Sequence, residues 1–101
     1  MSFTNRRPLV YEDLIDIWLR IAPDNLEAAD QVLDAIDESL ENLASQPLMG
    51  AEYPSQNPET EGIRYFPVGK FPDYYIFYLP LDNGIDVLRV LNKNRDIPQL
   101  I

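Results

Sequence analysis

The chain has neither cysteine nor histidine among its 101 residues. Without cysteine there is no disulfide framework, no thiol nucleophile and no thiolate metal site. Without histidine it lacks the side chain whose unperturbed pKa best suits acid–base work near neutrality, and the common transition-metal sites go with it. Any catalysis would fall to carboxylates, Lys, Arg or Tyr, and neither a metal nor a cofactor is expected. Long apolar runs are missing too, so no segment is expected to span a bilayer. The first eight residues carry Arg6 and Arg7 with no apolar stretch behind them, which does not make a signal peptide. The expected compartment is the cytoplasm.

Positive charge is also scarce. Eight basic residues stand against 17 acidic ones, a formal net charge of −9. A general nucleic-acid binder presents a basic face that displaces counterions from phosphates, and this balance is the reverse. Direct contact with nucleic acid is therefore not expected, nor is a membrane partner. The first 50 residues hold ten acids and three arginines, and the remainder seven acids and five bases. The bases of the second half are Arg64, Lys70, Arg89, Lys93 and Arg95.

What is present is enough for one domain over residues 1–101, with 46% hydrophobic residues for a modest core. Residues 2–6 fit a short first strand. Pro8 suits the opening turn of a helix, where its missing N–H costs nothing. Leu14, Ile17, Trp18 and Ile21 then recur at helical spacing, with Glu12, Asp13, Asp16 and Arg20 expected opposite them, over roughly 8–22. Asp16 and Arg20 have the spacing of a favourable pair. Pro23 ends this helix. Asp24 and Glu27 form a capping-box pattern for a second helix over about 24–45, stopped by Pro47 and Gly50. The short link predicts an antiparallel helical hairpin.

Residues 50–62 read as a loop, followed by strands over Ile63–Val68, Tyr74–Leu79 and Ile85–Leu91. Tyr74 to Tyr78 is apolar on both parities, which predicts a central strand. Asp82-Asn83-Gly84 predicts a type I′ hairpin turn. The tail from Asn92 is expected to fold back on the sheet. The fold class is therefore α+β: a short strand and an antiparallel helical hairpin packed on a C-terminal antiparallel three-stranded meander.

Three sets of residues bear on function. Glu27, Asp30, Asp34, Asp37 and Glu41 line the second helix, where like charges at i,i+3 and i,i+4 cost about 0.2–0.5 kcal/mol each. A solvated face explains them best, ahead of docking by a basic partner and well ahead of a cation site. The strand tyrosines fit packed rings with hydroxyls at the rim better than acid–base or stacking roles. Alternation puts Arg89 on the face of Ile85, Val87 and Leu91, where a guanidinium needs an oxygen partner or a groove to open onto. Arg64 opens the first strand of the meander. A structural and a functional role stand level for both arginines.

The ordered set of segments Glu12–Trp18, Ala28–Asp30, Leu43–Gly50, Gly62–Arg64, Phe66–Gly69, Tyr75–Tyr78, Arg89–Asn92 and Arg95-Asp96 resembles the RelE/ParE superfamily of bacterial toxins, closest to its ParE branch. The resemblance runs from about residue 8 to 100. It implies the toxin of a type II toxin–antitoxin module of plasmid-stabilisation type, silenced by a cognate antitoxin protein. ParE-like members are associated with DNA gyrase inhibition through protein binding, without a catalytic residue. Partner-binding residues would then be Arg64, Lys70, Arg89, Lys93 and Arg95. The RelE-like alternative is a ribosome-dependent mRNA endoribonuclease with Arg64 and Arg89 as catalytic residues stabilising the transition-state phosphate. Asn92 stands where many members have histidine, which removes an acid–base group from that alternative. A third reading is a degenerate, non-toxic member that only binds an antitoxin.

Overall fold

The computed structural model describes residues 2–101. The chain runs β1 (Phe3–Arg6), α1 (Pro8–Ile21), α2 (Leu26–Ser45), β2 (Ala51–Glu52), a 3-10 turn (Pro58–Thr60), β3 (Arg64–Val68), β4 (Phe71–Leu81), β5 (Gly84–Asn92) and α3 (Ile97–Leu100). One five-stranded sheet has the order β1-β5-β4-β3-β2. β1 lies parallel to β5 and the remaining pairs are antiparallel. The three expected strands thus form the middle of a wider sheet, extended by β1 on one side and by the two residues of β2 on the other. β4 is central, as its two-sided apolar pattern requires.

The helical hairpin covers one face of the sheet. Val10, Ile17, Ile36 and Leu40 of the helices pack there with Ile76, Tyr78, Ile85 and Val87 of the strands. The other face carries a second cluster of Ile63, Phe77, Leu88 and Leu91, closed by Ile97 from the tail with Leu100 and Ile101 beside it. Successive residues of β4 point to opposite faces, so burial on both explains why Tyr74–Tyr78 is apolar throughout.

Local details depart from the sequence expectations in four places. The N-cap of α2 is Asn25, whose side chain accepts from the Ala28 N–H at 3.0 Å. Asp24 belongs instead to the turn leaving α1, its N–H bonded to the Ile21 carbonyl. The hairpin at Asp82-Asn83 is present, but positive φ occurs elsewhere, at Gly62 and Lys70. It is therefore not a type I′ turn. Gly84 serves close approach: its backbone pairs with Phe3, and a β-carbon there would collide with the Phe3 backbone. The true left-handed residue is Lys70 in the β3–β4 turn, with φ 71°.

The fourth departure is a β-bulge. Phe77 pairs with Arg89 but Tyr78 with Val87, leaving Leu88 as the extra residue of β5. Strict alternation grouped Ile85, Val87 and Leu91 on one face. The bulge shifts the parity, so Ile85 and Val87 join the helix-side core while Leu91 joins the outer cluster.

Candidate functional site

Arg64 and Arg89 begin on neighbouring rows of the sheet, opposite Tyr78 and Phe77 of β4. Each is held by the protein itself. Arg64 donates from Nη1 to the Gly50 carbonyl at 2.6 Å and the Leu48 carbonyl at 3.3 Å, with Glu52 at 3.6 Å. Tyr78 works on the same segment: its hydroxyl donates to the Pro47 carbonyl at 2.7 Å and accepts the Gly50 N–H at 2.8 Å. Burial pushes the Tyr78 phenol up, against the smaller opposing pull of the Gly50 N–H and the Arg64 charge. Together the two side chains fasten the stretch that leaves α2, and Gly50 has no room for a β-carbon beside the Tyr78 ring.

Arg89 is fixed from α1. Its Nε and Nη2 donate to the two carboxylate oxygens of Asp13 at 2.8 and 2.7 Å, a bidentate pair. The same Asp13 carboxylate accepts the Val90 N–H at 3.1 Å. β1 pairs only with residues 84–87 of β5, so Asp13 occupies a place on the strand edge where β1 no longer reaches. The hydrogen bond to Asp13 raises the Arg89 pKa; burial opposes it, and the charges of Asp13, Glu12 and Asp16 reinforce it. Asp13 is 4% exposed, so it does not lie on the solvated side of α1 with Glu12 and Asp16 as the helical spacing suggested. Its register was the available signal, since it follows Val10 by three and precedes Ile17 by four on the buried side.

The other three expected binding residues sit elsewhere. Lys70 lies in the β3–β4 turn, Lys93 and Arg95 just after β5, at the same end of the sheet. Lys93 pairs with Asp73 at 3.1 Å. Among the described residues neither Lys70 nor Arg95 makes an ion pair, and Asp16 and Arg20 do not close to one either. The five bases thus divide into two built into the fold and three near a sheet end. Arg89 does border an apolar groove of about 360 Å³, lined also by Arg7, Leu9, Leu88, Leu100 and Ile101.

Two features escaped the sequence reading. Asp86 accepts from Asn5 at 2.8 Å and from Arg7 at 2.8 Å, tying β1 to β5. Burial would raise its pKa, but the hydrogen bonds from Arg7 and Asn5 and the charge of Arg7 outweigh that and hold it below the usual carboxylate value. The second is a stripe of exposed apolar side chains on α1, Tyr11, Ile15 and Leu19. Its i, i+4, i+8 spacing was visible, but the stronger pattern of Ile17 and its neighbours drew the reading of that helix.

A family model described as the ParE toxin of the type II toxin–antitoxin system, parDE, matches residues 6–97. The chain belongs to this ParE toxin family. The fold of this ParE-family chain is similar to a solved structure described as a chromosomal ParDE toxin–antitoxin system from P. aeruginosa, with a TM-score of 0.72 and 20% identity. That likeness covers 91% of this chain and 96% of the other. No curated protein sequence matches. Among the described residues, no helix is long and apolar enough to cross a membrane.

Proposed function

We propose that this ParE-family chain acts as a toxin by binding another protein, with DNA gyrase as its target, and that a cognate antitoxin neutralises it. The observation that carries this reading is the commitment of both sheet arginines. A ribonuclease of the RelE kind would need Arg64 and Arg89 free to meet a phosphate. Here Asp13 neutralises Arg89 in a bidentate pair, and Arg64 is spent on two backbone carbonyls. A net charge of −9 disfavours approach to ribosomal phosphates still further. Lys70, Lys93 and Arg95 remain as the outward-facing bases for a protein target.

Induced expression tests the reading directly. Cells producing the chain alone should stop growing with a DNA damage response and intact mRNA, and the purified protein should inhibit gyrase supercoiling in vitro. Co-expression of the adjoining small open reading frame should restore growth, and its product should co-purify. Ribosome-dependent mRNA cleavage would instead establish the nuclease. Unimpaired growth with co-purification would mark a non-toxic antitoxin binder.

A further inference from the structure

The sheet has two edges, and they differ in how well they are closed to further pairing. At one edge β2 is only two residues long, and the exposed carboxylate of Glu52 stands on it. Its neighbour β3 carries Pro67, which has no N–H, beside a register shift between Pro67 and Val68. Short edge strands, proline, bulges and charge are the usual means by which a sheet edge is blunted. β1, at the other edge, holds four residues with neither proline nor bulge. Its one charge is Arg6, and Asp37 of α2 draws that side chain into the helix layer at 2.9 Å.

The hydrogen bonds of β1 show which of its groups are open. Phe3 donates its N–H to the Asn83 carbonyl and Arg7 to the Val87 carbonyl, in parallel register with β5. In a parallel pair, alternate residues bond the same neighbour, so Phe3, Asn5 and Arg7 turn their main chain to β5. Thr4 and Arg6 therefore turn N–H and C=O outward, where no strand among the described residues meets them. Charge at this edge is balanced: Arg6 pairs with Asp37 at 2.9 Å and Arg7 with Asp86 at 2.8 Å. In a chain of net charge −9, a second acidic copy can approach here without facing unpaired acids.

We propose that β1 pairs antiparallel with β1 of a second copy, joining two sheets into one across a two-fold axis at Asn5. This register opposes Thr4 to Arg6 of the other copy, and each such pair exchanges two N–H···O bonds. It uses the whole extended segment, because Arg7 is still extended at φ −68° and ψ 156° and Pro8 begins α1. On the face away from the helices it sets Phe3, 49% exposed, opposite Arg7 of the other copy. A ring then meets a guanidinium at both ends of the strand pair, a favourable contact. The sequence of β1 is thus complementary to itself, as a two-fold interface requires. The inference is independent of which protein the chain targets.

Sedimentation equilibrium of the full chain should show monomer and dimer at concentrations up to about 1 mM. The dimer should tighten as salt screens the repulsion between two acidic chains. Thr4→Pro deletes an outward N–H and spares the hydrogen bonds to β5, so it should abolish the dimer with the unfolding midpoint nearly unchanged. Phe3→Ser should weaken the dimer about tenfold. The chain has no cysteine, so introduced thiols report the register alone. Asn5→Cys sets two thiols at a non-hydrogen-bonded pair with Cα atoms about 4.5 Å apart, and oxidised glutathione should link them. Thr4→Cys sets them diagonally, about 7–8 Å apart, and should link at least about tenfold more slowly. A chain that stays monomeric, or a dimer that dissociates as salt rises, overturns the inference. So does a folded Thr4→Pro that still dimerises, or Thr4→Cys linking as fast as Asn5→Cys. Should Thr4→Pro fail to fold, Phe3→Ser and the two cysteine variants decide.

Discussion

On the side of the sheet away from the helices, Phe77, Leu88 and Leu91 are covered by the chain's own last residues, with Ile97 buried among them. On the outer side of α1, Tyr11, Ile15 and Leu19 have no such cover. Both surfaces are apolar, and both border charged groups. The difference is that the tail doubles back over the sheet within reach of its own strand, while none of the other described residues returns over the hairpin. Apolar area left in water on a helix adds nothing to folding, so its energy is available to binding.

The largest expected effect lies on the closed side of this comparison. Asp13→Ala leaves the Arg89 guanidinium nearly buried without its counter-charge and also frees the Val90 N–H. A cost of about 3–5 kcal/mol in urea unfolding is expected. Replacing both partners by apolar side chains of similar volume should be milder than the single change. If Asp13→Ala costs little, the pair is not what joins α1 to β5.

Ile97→Ala and Ile15→Ala contrast the two surfaces directly. The first empties a buried site in the outer cluster and should cost about 2–3 kcal/mol. The second, on an open helix face, should change stability by no more than about 0.5 kcal/mol. Equal losses at the two positions would erase the distinction between covered and uncovered faces.

Tyr78→Phe keeps the ring and removes the hydroxyl that bridges Pro47 and Gly50. The buried Gly50 N–H then lacks its acceptor, at about 1–2 kcal/mol. The phenol pKa is raised in the folded state, so its contribution is present below the ordinary tyrosine pKa of about 10 and is lost as pH rises through the folded value. Stability of the unaltered protein should therefore fall in that alkaline range, with Tyr78→Phe showing less of the fall.

The smallest effect concerns the β1–β5 junction. The Asp86 pKa is lowered on folding, so its contribution is present above the ordinary carboxylate value of about 4 and disappears as pH drops through the folded value. Asn5→Ala removes one of the hydrogen bonds responsible. Its unfolding curve should lie slightly below that of the unaltered protein near neutrality and converge on it in acid. Parallel curves at all pH values would assign the shift to Arg7 alone.

Much of this architecture could be read from neighbouring residues. Pro8 and Pro23 bound α1, the apolar repeat from Ala29 to Leu43 marks the buried side of α2, and Tyr74–Tyr78 announces a strand covered on both faces. The Arg89 requirement for an oxygen partner was legible too, from a cation placed in an apolar strand. Which oxygen answered it was not, because Asp13 is 76 positions away and looks like one of several acids on a polar helix side. The bulge at Leu88 escaped for a related reason, since one extra residue in a strand leaves no mark on composition. Gly84 was misread because its role depends on Phe3 arriving from the far end of the chain.

Periodicity, prolines and charge composition by themselves determined a helical hairpin, three consecutive antiparallel strands and an acidic chain poor in catalytic groups. Those properties follow from interactions a few residues long, which a sequence displays in order. Only the tertiary structure decided that Arg64 and Arg89 are bound within the fold, that Asp13 is buried, and that Tyr11, Ile15 and Leu19 are left open. Each of these depends on which distant segments meet, and a long-range contact has no local period by which to be recognised.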